Sequence, residues 1–190
     1  MRPLLLLCLC LGLAACGGRT NKNLDVPANI SLPESATQGT ADPVQMAANN
    51  VARIFAKPKP AIARPGDAAT GIAQMEYLVA ALTTDPRFAG LPPGLGPTMV
   101  RARQEWRAIL GVPQTAPAQA VIDALYTAAP ALQAGQKNNA ALLLPNRLFT
   151  LGGEVTVQHL GALPELPLTS QAAQSIQQAV GGGPARSPAR

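Results

Sequence analysis

Residues 67–86 read DAATGIAQMEYLVAALTTDP, and this stretch decides the fold. Ala68, Ile72, Met75, Val79 and Leu82 recur at intervals of four and three, so a helix places them on one face, and Leu78 widens the stripe. Asp67 stands where a helix N-cap belongs. Asp85-Pro86 stops the helix near Thr83, because the residue before a proline avoids the helical region.

The same logic extends in both directions. Asp42-Pro43 is an N-cap followed by a proline in the first turn, and Val44, Ala47, Val51, Ile54 and Phe55 follow at helical spacing until Lys57-Pro58-Lys59-Pro60. That Lys-Pro run reads as a stiff linker, with a short extended recognition element as the alternative. Leu91 to Pro97 is a turn-rich crossover, and its glycines lack the flanking strand and lysine of a phosphate loop. A third helix is predicted over 97–110, carrying Met99, Val100, Trp106, Ile109 and Leu110, with Gly111 as its C-terminal cap. A fourth, capped by Thr115, carries Val121, Ile122, Leu125 and Tyr126 and is bounded by Pro130. A last one runs over 170–180, with Ala173, Ile176 and Val180 inward.

Residues 131–168 are ambiguous. Leu148 to Leu151, Gly152-Gly153, then Glu154 to Val157 suits a small hairpin over 148–157, and continued helix is the alternative. The expected fold is therefore mainly α, a small antiparallel bundle of four or five helices with a minor hairpin. Its anchors are Phe55, Met75, Leu78, Val79, Leu82, Trp106, Ile109, Leu110, Ile122, Leu125 and Tyr126. Residues 17–41 are polar without apolar periodicity and read as a tether, and 181–190, Gly- and Pro-rich, read as a tail.

The amino terminus has a different character. Arg2 precedes an apolar run from Pro3 to Leu13 that ends in Ala14-Ala15 before Cys16. A short basic region, an apolar stretch and small residues at a cleavage point make a secretory signal. The run is about thirteen residues with its alanines, short of the roughly twenty that span a bilayer.

Leu13-Ala14-Ala15-Cys16 resembles the bacterial lipobox of lipoprotein precursors, and the resemblance covers only this amino-terminal segment. It implies cleavage between Ala15 and Cys16, an S-diacylglyceryl group on Cys16 and an acylated new amino terminus. Two or more acyl chains anchor stably where one holds marginally. Gly17 lacks the aspartate that marks inner-membrane retention in this class, which implies the outer membrane, facing the periplasm. The expected organisation is then a signal over 1–15, lipidated Cys16 and tether over 16–41, a helical domain over 42–180 and a tail over 181–190. Cys8 and Cys10 leave with the signal, so the mature chain has no disulfide and relies on its core.

Net charge is +5, but charged residues are only 13% and aromatics 3%, which is not the composition of a nucleic-acid binder. His159, the lone histidine, has no second histidine or free thiol for a triad or metal site and is expected in a loop or strand as polar surface. The carboxylates Asp67, Glu76, Asp85, Glu105, Asp123, Glu154 and Glu165 are scattered, and Arg101 with Glu105 reads as an exposed i,i+4 pair. Arg101, Arg103 and Arg107, with Arg87 nearby, form the densest basic cluster. Two readings are open: a weak anion-binding patch for peptidoglycan carboxylates, lipid phosphates or an acidic partner, and, more economically, a solvated helix face with Trp106 turned inward.

The leading expectation is a non-enzymatic, lipid-anchored envelope protein binding an envelope protein or peptidoglycan, with no metal and no cofactor beyond the covalent lipid on Cys16. The alternatives are an envelope hydrolase, or an accessory to one, using carboxylates assembled by the fold, and a purely structural lipoprotein.

Overall fold

The computed structural model describes residues 30–40, 42–57 and 64–181, so Cys16, Pro58 to Pro60 and the tail beyond Gly181 lie outside the described residues. The described residues contain eight α-helices: α1 Glu34–Thr37, α2 Pro43–Phe55, α3 Pro65–Thr84, α4 Leu95–Leu110, α5 Ala118–Gln133, α6 Lys137–Leu142, α7 Gly153–Gly161 and α8 Pro167–Gly181. A 3-10 turn, Pro86–Phe88, opens the crossover from α3 to α4.

Helix α3 is the axis. Alanines and glycines on its flanks let neighbours approach on nearly every side, so α2, α4, α5 and α7 all pack against it. Gly71 shows the closeness: a Cβ there would come within 2.8 Å of the Phe55 ring. A helix buried all round is apolar all round, and α3 carries only two buried side chains of strong polarity, Gln74 and Glu76. Helix α5 lies along α3, and α8 closes the opposite side over α2 and α4. One hydrophobic core runs through the described residues from Leu32 to Ile176, with Phe55, Met75, Leu78, Trp106, Leu110, Ile122, Leu125 and Phe149 fully buried.

The predicted helical bundle is the observed one, with five longer helices and three short ones. Asp42 caps α2 as expected, accepting from the Val44 N–H at 2.9 Å. Gly111, at φ 66°, closes α4 in a left-handed turn in which the Val112 N–H donates to the Arg107 carbonyl at 2.8 Å.

Several expectations are corrected. Asp67 does not cap α3. The helix starts at Pro65, and Asp67 sits in its first turn, paired with Arg64 at 3.5 Å. Thr115 caps nothing; the N-cap of α5 is Pro117, without a side-chain hydrogen bond. Pro130 does not bound α5, because its ring is exposed while Ala128, Ala129 and Leu132 hold the last turn in the core. Gly135, at φ 73°, ends that helix region instead.

The hairpin over 148–157 is absent, and no strand occurs among the described residues. Gly153, Thr156, Val157 and Leu160 are buried in α7 at helical spacing. A Cβ on Gly153 would lie 2.0 Å from the Ala141 carbonyl oxygen, so this glycine serves the packing of α7 on α6 rather than a two-residue turn. The tether expectation also fails for residues 30–40. Leu32 is buried, Ile30 packs on the core, and Ser31 exchanges two hydrogen bonds with the Gln119 side chain at 2.9 and 3.1 Å.

Candidate functional site

The basic cluster of α4 does not stay together. Arg101 is exposed and donates to Thr98 Oγ1 at 3.3 Å. Arg87 lies in the crossover, exposed, on Asp85 at 2.7 Å and Asp42 at 3.9 Å. Arg103 and Arg107 turn inward to one partner that the sequence reading left scattered, Glu76.

Glu76 is fully buried on α3 and accepts four hydrogen bonds. Arg107 Nε and Nη2 bind it in a fork at 2.6 and 2.8 Å, Trp106 Nε1 donates at 2.9 Å and Arg103 Nε at 3.0 Å. Arg107, also fully buried, spends Nη1 on the carbonyls of Pro113, Gln114 and Ala116, each at 3.0 Å. Both charges are thus paired and saturated, as burial demands. Burial pulls the Arg103 guanidinium below its usual range, against the attraction of Glu76. A guanidinium sealed in the core binds no solvent-borne anion, so Arg107 belongs neither to an anion patch nor to a solvated face; the exposure of Arg101 and the inward turn of Trp106 are as expected. The cluster fastens the α4–α5 loop to α3.

The expected Arg101–Glu105 pair is not made. Glu105 reaches the start of α8, accepting from the backbone N–H of Leu168 and Thr169 at 3.2 and 2.8 Å and from Thr169 Oγ1 at 2.5 Å. It caps the start of α8 from another helix. His159 is in neither loop nor strand. It sits half-buried in the last turn of α7, with Nδ1 2.5 Å from the Ile109 carbonyl, tying α7 to the end of α4.

Asp42 and Asp85 do converge on one guanidinium, that of Arg87. The Arg87 hydrogen bonds hold the Asp85 carboxyl below its usual range. Asp42 caps α2, and Asp85 Oδ1 accepts from the Arg87 N–H at 2.9 Å in the 3-10 turn. The two face different cavities, Asp42 a groove along α2 and Asp85 a 410 Å³ cleft under the crossover. Among the described residues no group of three or more His, Cys, Asp or Glu is placed to hold a metal ion.

The groove along α2 has a volume of about 690 Å³ and is lined by Thr40, Asp42, Gln45, Met46, Asn49, Asn50, Arg53 and Gln74. Its floor is the buried Gln74 amide. Gln74 Nε2 donates to Tyr126 Oη at 3.1 Å and lies 3.6 Å from Met46 Sδ, while its carbonyl accepts from Asn50. Asn50 Oδ1 in turn accepts from Arg53 at 2.6 Å, and Gln45 donates to Asn49 at 3.2 Å. Burial pushes the Tyr126 hydroxyl above its usual range, so it stays a neutral donor and acceptor beneath the groove. Gln74 also lines a 290 Å³ hollow against the 30–40 segment, with Ser35, Ala36 and Tyr126 on its walls. None of these amides was singled out from sequence; the one available signal was Gln74 inside an otherwise apolar helix.

Comparison with protein-family models, with curated proteins and with solved structures finds no match to this chain.

Proposed function

We propose that this chain is a lipid-anchored cell-envelope protein, acylated on Cys16 and held at the outer membrane facing the periplasm, whose helical domain binds an envelope component through the groove along α2. The observation that carries the binding reading is that groove. Ligand sites commonly enclose about 300–1,000 Å³ with a few fixed polar groups, and here those groups are amides, Asn50 held by the buried Gln74 and Gln45 paired with Asn49. Side-chain amides offer a donor and an acceptor together, the complement of another amide. The chemistry recognised is an amide-bearing chain, and Arg53 at the rim adds a place for a carboxylate. Envelope proteins and the peptide stems of peptidoglycan both present that pattern.

The address rests on Leu13-Ala14-Ala15-Cys16. A hydrolase is less well supported. Asp85 is drawn towards the ionised form by Arg87, the opposite of what a general acid needs, and Glu76 and Glu105 are consumed by structural hydrogen bonds.

Two experiments test the proposal. Radiolabelled palmitate is expected on the wild-type chain and absent from Cys16→Ser; equal labelling refutes the anchor. A photo-crosslinking amino acid at Asn49 is expected to capture a discrete protein or a muropeptide in whole cells, and Arg53→Glu to abolish the adduct. No adduct, or one indifferent to Arg53→Glu, refutes the groove as the binding site.

A further inference from the structure

Helices α6 and α7 meet at a corner with two unusual properties. Leu142 is 85% exposed, Leu143 41% and Leu151 45%. Gly153 packs on Ala141, so Leu142 and Leu143, which follow Ala141, and Leu151, two residues before Gly153 and against Gly111, stand on the two sides of this helix contact. They are three of the four exposed large hydrophobic side chains among the described residues, the fourth being Leu168 on α8. The second property is charge. Around the contact, residues 124 to 153 carry Lys137 and Arg147 as their only charged side chains, and one exposed acid, Glu154, follows in the first turn of α7. Both cations are exposed and make no ion pair among the described residues. Protruding leucines flanked by free cations are the complement of an anionic lipid surface, where apolar side chains enter the acyl boundary and cations meet headgroup phosphates.

We infer that the α6–α7 corner docks on an anionic phospholipid bilayer. The corner is a second contact, beyond the groove and separate from the acyl chains. Only its reach depends on the proposed anchor. Thirteen residues lie between Cys16 and Ile30, and a fully extended chain of that length spans at most about 50 Å. Ser31 is fastened to Gln119 near the start of α5, and the corner begins just past its far end. Helix α5 has 16 residues, about 24 Å at 1.5 Å each. A domain anchored at Cys16 can therefore lay this corner on the membrane that holds it.

The test uses residues 17–190, which contain no cysteine and no lipid, so its outcome is independent of palmitate labelling at Cys16. The chain is sedimented with vesicles of phosphatidylglycerol or of phosphatidylcholine. Binding to the anionic vesicles is expected, and K137E/R147E is expected to weaken it about 25-fold or more, at roughly fivefold per cation. L142E/L143E is expected to weaken it at least about tenfold. These side chains are exposed, and an unchanged thermal midpoint shows that the fold is kept. In a second measurement, Leu142→Cys carries a polarity-sensitive dye, which should shift to the blue with anionic vesicles while the same dye at Asn49→Cys does not. No binding, equal binding to both lipids, or binding unmoved by either double variant overturns the inference. So does a chain that ignores vesicles but is captured by an envelope protein through this corner.

Discussion

Glu76→Ala is the sharpest test of how the core is held. The substitution leaves Arg107 buried with its fork unpaired and removes the only acceptor of Trp106 Nε1. Breaking a buried ion pair from one side costs about 3–5 kcal/mol, and an orphaned buried donor adds about 1–3 kcal/mol. Arg107 keeps its three loop carbonyls, which favours the low end, so the expected loss is about 4 kcal/mol. That is a large part of the roughly 5–15 kcal/mol that holds a domain of this size. Trp106 is the single tryptophan, so its emission in a urea titration reports both global unfolding and its own site. The paired replacement Glu76→Leu with Arg107→Met removes both charges, and such swaps are often neutral elsewhere. Here it should recover only part of the loss, because the carbonyls of Pro113, Gln114 and Ala116 are left without their donor. A Glu76→Ala cost below about 1 kcal/mol would refute the role assigned to the pair. Full recovery in the paired variant would refute the role assigned to the loop.

Gly153→Ala places a methyl against the Ala141 carbonyl and should cost at least about 1–3 kcal/mol as overpacking, read as a lowered thermal midpoint; an unchanged midpoint contradicts the α6–α7 contact. Glu105→Ala removes the cap of α8 and should cost about 1–2 kcal/mol, with faster hydrogen exchange at Leu168 and Thr169. The Asp85 carboxyl, depressed by Arg87, stabilises its turn above the ordinary carboxylate range near about pH 4, and the contribution is lost as pH falls through the lower folded value. A side-chain NMR titration should show that midpoint rising towards the ordinary range in Arg87→Ala. Gln119→Ala should loosen residues 30–40 and accelerate amide exchange at Ser31 without a comparable change in α3.

The helices were legible where one face was apolar and the ends carried stop signals. Asp42-Pro43 and Gly111 did what their chemistry predicts. The hairpin expectation failed because Gly153 and Thr156 were not counted as inward-facing; with them, residues 153, 156, 157 and 160 carry the helical period. Pro130 looked like a stop because a proline removes one hydrogen bond, but the core contacts of Leu132 outweigh that local loss. The site was much less legible. Arg107 and Glu76 are 31 residues apart, so only the fold could pair them; the one local sign was a lone carboxylate, Glu76, inside an apolar helix. The groove was hidden for the same reason: Asn50, Gln74 and Tyr126 come from three helices and become a unit only when α2 and α5 settle on α3.

Helix α8 has a consequence for how the chain is made. It seals α2 and α4, and Ser170 Oγ and Gln174 Nε2 hold the Ala56 carbonyl at 3.1 and 2.7 Å across separations of 114 and 118 residues. Synthesis is vectorial, so a nascent chain that ends before Leu166 leaves those two surfaces bare, with the α2 end unclasped. Pairings that remote in sequence form late. The closure of α2 and α4 therefore waits until α8 has been made, and the packing of the earlier helices on α3 has to stand without it until then.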